Sequence, residues 1–183
     1  SGNSQATLSW TKPANTTAVK IWTRNVTDAQ TWQELPIPLG STSWVSGGLS
    51  NGGTYEYKVQ SLNGYIKGGF SNVATAYPTG PTPGGTTLTV AAGNKKAVLS
   101  WTAVANATAY YIWTRNLTMQ ETTFTRLPIP IAGTTWTAGG LIAGGAYEFK
   151  LQSMNGYIAG GFSNTSQVIA SGTIPGAPVV TLS

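Results

Sequence analysis

Apolar and polar residues alternate in short runs along the 183-residue chain, and Gly-, Pro- or Asn-containing segments end each run after a few residues. A period of two sends successive side chains to opposite faces of a strand, and no stretch sustains the spacing of an amphipathic helix. The pattern predicts strands at 5–11, 18–24, 31–36, 42–46, 53–61 and 69–76. It predicts another series at 86–91, 96–102, 109–115, 123–128, 134–138, 145–153 and 161–169. An all-β fold follows.

The two series carry one sequence written twice. LSW stands at 8–10 and 99–101, IWTRN at 21–25 and 112–116, LPIP at 35–38 and 127–130, NGYI at 63–66 and 155–158, and GGFSN at 68–72 and 160–164. Each half is too large for a solenoid repeat and suits a small independent domain. Six or seven short strands in such a length predict a Greek-key sandwich. The expected organisation is a domain at 1–78, a linker at 79–85, a second domain at 86–171, and a linker-plus-strand segment at 172–183.

On these motifs each half resembles a fibronectin type III domain. LSW resembles strand B with its core Trp, and Leu49 with Tyr55, repeated as Leu141 with Tyr147, resembles the tyrosine corner that leads into strand F. NGYI followed by GGFSN resembles the FG loop and the start of strand G. The resemblance implies two tandem β-sandwiches with no catalytic centre. Neither FG loop holds Arg-Gly-Asp, so that integrin-binding motif of the family is not carried over.

Composition narrows the chemistry. Without His or Cys there is no imidazole base, thiolate, disulfide or His/Cys metal site, and the five acids are far apart in sequence. No cofactor and no enzymatic activity are expected. The net charge of +5 comes from ten scattered Lys and Arg set against those few acids, not from a basic stripe, so no nucleic-acid partner is expected. No apolar run is long enough for a membrane span. Low charge with abundant Thr, Ser and Gly points to an extracellular or cell-surface setting.

Four groups of residues stand out. Trp10, Trp101, Trp44 and Trp136 fall in the inward phase and are expected in the cores, whereas Trp22 and Arg24, with Trp113 and Arg115, face outward. The outward pairs are candidates for stacking on a polysaccharide or a cell-surface partner, or else for cover by the stems of Lys58 and Lys150. Leu35 and Ile37 in the first LPIP, Ile129 in the second, and Tyr65, Ile66, Tyr157 and Ile158 at the hairpin tips are candidate interface residues. Asn25 and Asn116 lie in N-x-S/T sequons on expected turns and are glycosylation candidates.

The last group concerns strand A. Residues 86–91 supply it in the second half, whereas residue 1 aligns with residue 92, after that strand, and 172–183 align with 80–91. The first sandwich is therefore expected to lack strand A, with Pro178, Val179, Val180, Thr181 and Leu182 as a strand to donate. The expectation is a homo-oligomer that grows head to tail into a filament by donor-strand complementation. The alternative is a fragment of a longer secreted array, acting as spacer, adhesion or carbohydrate-binding module.

Overall fold

The computed structural model describes every residue except Ile37, Leu182 and Ser183. The chain divides into two compact units, Ser1–Thr82 with Asn155–Ile158, and Pro83–Met154 with Ala159–Ser183.

In the first domain β1 (Gln5–Ser9) pairs antiparallel with β4 (Ser43–Gly47), forming a two-stranded sheet. The facing sheet orders β3 (Gln33–Glu34), β2 (Ala18–Asn25), β5 (Tyr55–Asn63) and β6 (Ile66–Phe70), with β7 (Ala74–Ala76) also on β5. The second domain repeats this arrangement. Its smaller sheet orders β12 (Thr135–Gly139), β9 (Lys96–Trp101) and β8 (Leu88–Gly93). Its larger sheet orders β11 (Thr125–Arg126), β10 (Ala109–Asn116), β13 (Ala146–Asn155) and β14 (Ile158–Phe162), with β15 (Ser166–Ile169) on β13. The expected strand at 86–91 is found as β8, in register Leu88 to Trp101 and Val90 to Leu99.

Two expected strands are cut short for a local reason. After Leu35 and Leu127 donate to the carbonyls of Ile21 and Ile112, the next residues are Pro36 and Pro128, which have no N–H to continue the ladder. β3 and β11 are therefore two residues long rather than six. The strand expected at 69–76 is two strands. Ser71 stands between them, its hydroxyl accepting the Val59 N–H and donating to the Asn72 carbonyl, so the ladder shifts sideways at 71–73. Ser163 makes the same bonds in the second domain.

Both cores fill with inward residues of the two sheets. Ile21, Tyr55 and Tyr57 lead one, and Leu99, Ile112, Phe149 and Leu151 the other. Each domain has a tyrosine corner, in which the Tyr55 hydroxyl accepts the Ser50 N–H at 3.0 Å and Tyr147 accepts that of Ile142 at 3.0 Å.

One difference between the cores is paired. The buried Tyr57 hydroxyl donates to Ser46 Oγ at 3.0 Å, and the corresponding residues in the second domain are Phe149 and Ala138, with no polar atom to satisfy. Burial pushes the Tyr57 phenol above its ordinary pKa, against the lowering effect of the Ser46 bond. Ser46→Ala leaves the buried hydroxyl with Thr23 as its remaining side-chain partner and is expected to cost the first domain about 1 kcal/mol, whereas combining Ser46→Ala with Tyr57→Phe is expected to be nearly neutral. Urea denaturation of the single and double variants checks this; equal losses would show that the pair is not coupled.

Candidate functional site

The smaller sheets of the two domains differ at one edge. In the second domain β8 closes the sandwich: Leu88 is buried, and beneath it Leu99, Trp101, Leu151 and Val168 are each no more than 7% exposed. In the first domain β1 has β4 as its only strand partner among the described residues. The corresponding Leu8, Trp10, Val59 and Ala76 are all half-exposed. They line a groove of about 820 Å³ running between β1 and β7, with Asn72 on its wall. The groove is where β8 lies in the other domain.

The seat of β8 is held by main-chain contacts as well as by burial. Asn164 Oδ1 accepts the Leu88 N–H at 2.8 Å, and Asn164 Nδ2 donates to the Leu88 carbonyl at 3.0 Å. Ser166 Oγ donates to that same carbonyl at 3.0 Å. Upstream, the Gly161 N–H donates to the Pro83 carbonyl at 3.0 Å and Ser153 Oγ to that of Gly84 at 2.5 Å. Gly85 passes so close to β14 that a Cβ there would collide with the Phe162 carbonyl. Glycine is required at that point by lack of space, not by backbone angle.

The proposed donor residues lie in the open. Residues 172–181 belong to no strand; Pro178 and Thr181 are exposed, and Val179 and Val180 are 90% and 84% exposed. Leu182 lies outside the described residues.

The outward aromatic residues are arranged as stacks. Trp22 lies opposite Lys58 on β5, whose ammonium sits 4.4 Å from the Phe70 ring, 4.5 Å from Trp32 and 5.8 Å from Trp22. Arg24 lies over Trp32 at 4.8 Å and pairs with Glu56 at 2.6 Å. The second domain repeats the stack with Trp113, Lys150, Phe124 and Phe162, and with Arg115 paired to Glu148 at 2.6 Å. A sugar seated on Trp22 or Trp113 would have to displace a cation already held there. Trp32 and Phe124 were not singled out from the sequence; their signal is an aromatic at the same place in both halves.

The other candidates are dispersed. Leu35 packs against the core of its own domain, and Ile37 lies outside the described residues. Ile129, Tyr65 and Ile66 are exposed, Tyr157 is 37% exposed and Ile158 half-buried. Glu34 pairs with Lys20, which holds its carboxyl below the ordinary range, while Arg126 at the matching position lies 4.2 Å from the Tyr111 ring. Asn25 and Asn116 are only 6% and 8% exposed. Asn25 Nδ2 donates to Asp28 and Tyr55, and Asn116 Oδ1 accepts the Met119 N–H. The folded chain thus buries both side chains that a glycan would modify. Among the described residues no three His, Cys, Asp or Glu side chains gather as metal ligands, and no helix is long and apolar enough to cross a membrane.

The sheet of β1 and β4 facing that of β3, β2, β5 and β6, matched by β12, β9 and β8 facing β11, β10, β13 and β14, with a tyrosine corner leading into β5 and β13, defines each domain as a fibronectin type III-like sandwich. No family model and no curated protein matches the chain. Among solved structures it is similar to the FN1-FN3 domains of chicken CNTN1, at 17% identity over 93% of this chain and 65% of that one, with a TM-score of 0.43. It is also similar to a two-fibronectin-type-III-domain segment of chicken tenascin, at 19% identity over 92% of this chain and 94% of that one, with a TM-score of 0.45.

Proposed function

We propose that this chain is a non-enzymatic extracellular structural subunit that joins head to tail, residues 178–183 of one copy adding beside β1 of the next as its strand A. The observation that carries this reading is the contrast between equivalent sites: β8 covers Leu99 and Trp101, while Leu8 and Trp10 line an open groove. The segment 178–183 aligns with the strand that does the covering, and Pro175-Gly176 repeats Pro83-Gly84 ahead of it.

Val180 and Leu182 correspond to Leu88 and Val90. Buried in the groove, each contributes about 1.5–3 kcal/mol before the cost of ordering the segment. Ladder hydrogen bonds along β1 add to this, as in other strand-addition complexes. Because donor and acceptor surfaces differ, each junction is heterologous, and repeated from copy to copy without closing on itself it gives an open filament.

Electron microscopy and sedimentation of the purified chain test the reading. The full chain is expected to form filaments, and deletion of 178–183 to leave single subunits whose second domain unfolds as before, since that domain keeps β8. Filaments from the truncated chain would overturn it.

A further inference from the structure

The head-to-tail reading leaves open what fixes the register of the entering strand, because apolar burial alone tolerates a slip by two residues. In the second domain the register is marked on the main chain. Asn164 engages both the N–H and the carbonyl of Leu88 with its carboxamide, so one residue of β8 is held by its side chain in the core and by its backbone at the sheet edge. A carboxamide has a donor and an acceptor on one plane and so reads both groups of a single residue.

Asn72 occupies the same place on the wall of the first-domain groove, exposed, with Nδ2 donating to the neighbouring Val73 carbonyl at 3.3 Å. The second part of the clasp is missing, for the residue matching Ser166 is Ala74. Resting on the head-to-tail reading, we propose that Asn72 is the register-setting residue of the groove, its carboxamide clasping the main-chain N–H and carbonyl of Val180 from the second copy. The partner is thus recognised through its backbone at one residue, and Ala74 leaves that grip weaker than the one on Leu88.

The register is readable by disulfide trapping in the full chain. Thr89 lies opposite Ser100 in the second domain, so Thr181 of one copy should lie opposite Ser9 of the next, whereas a two-residue slip puts it opposite Thr7 or Thr11. With Thr181→Cys, intermolecular cross-linking is expected with Ser9→Cys and not with Thr7→Cys or Thr11→Cys. Adding Asn72→Ala is expected to shift yield from Ser9→Cys toward Thr7→Cys or Thr11→Cys and to raise the concentration needed for assembly about tenfold, as the loss of one or two net hydrogen bonds implies. Ala74→Ser is expected to lower that concentration. If the cross-link ratio and assembly are unchanged by Asn72→Ala, the clasp is wrong while head-to-tail joining stands. If Thr181→Cys cross-links with none of Ser9→Cys, Thr7→Cys and Thr11→Cys with Asn72 in place, both fall.

Discussion

Joining residues 172–183 ahead of Ser1, in a chain that otherwise ends at 171, is expected to raise the melting temperature of the first domain by about 10 °C and to abolish assembly. The added segment stands to Ser1 as 80–91 stand to Ala92, so it recreates within one chain the connection that places β8. It would cover Leu8, Trp10, Val59 and Ala76, which are half-exposed where their counterparts are buried. Two aliphatic side chains give about 3–6 kcal/mol, and ordering the segment offsets part of it. A net gain of about 2 kcal/mol corresponds to the stated shift for a domain of this size. Calorimetry and sedimentation measure the two effects. A first domain that melts as before would mean that the groove does not accept a strand A.

An Asp at either of two matching positions is expected to act on different properties. Leu88 is 2% exposed, so Leu88→Asp buries a carboxylate among Leu99, Trp101 and Leu151 and should destabilise the second domain by about 4 kcal/mol or more. Val180 is exposed within its own chain, so Val180→Asp should leave both domains as stable as before and abolish filaments. Denaturant unfolding and electron microscopy of both variants separate these outcomes. If Val180→Asp lowers the stability of its own chain, residues 178–183 have a role within the subunit.

The sandwich architecture was legible in the sequence because alternation and the repeated motifs both report burial on one face of a strand. Leu8 and Trp10, two residues apart, fall on one face, and so do Val19 and Ile21. What alternation misses is competition for backbone groups by side chains. The break at 71–73 depends on the Ser71 hydroxyl standing in a ladder, and the clasp on Leu88 depends on the Asn164 carboxamide, neither of which has a periodic signature. Comparison of the halves holds a trace of such pairs. Tyr57 with Ser46 becomes Phe149 with Ala138, and Lys20 with Glu34 becomes Tyr111 with Arg126, each a coupled exchange between neighbours. The burial of the two sequon asparagines was not legible either, because an N-x-S/T pattern contains no information on burial, and Asn25 and Asn116 hold turns with their side chains.

The close passage of Gly85 along β14 bears on how a chain of such subunits would respond to pulling. Residue 177, which matches Gly85, is alanine; in a junction that copied the covalent one its methyl would meet the Phe70 carbonyl, as a Cβ on Gly85 would meet that of Phe162. The entering segment must therefore stand off from its neighbour there, while the covalent connection at Pro83-Gly84-Gly85 stays in contact. Tension applied along the filament would concentrate at the looser, non-covalent seams. The strand would part there into intact subunits able to rejoin, sparing the sandwiches from unfolding.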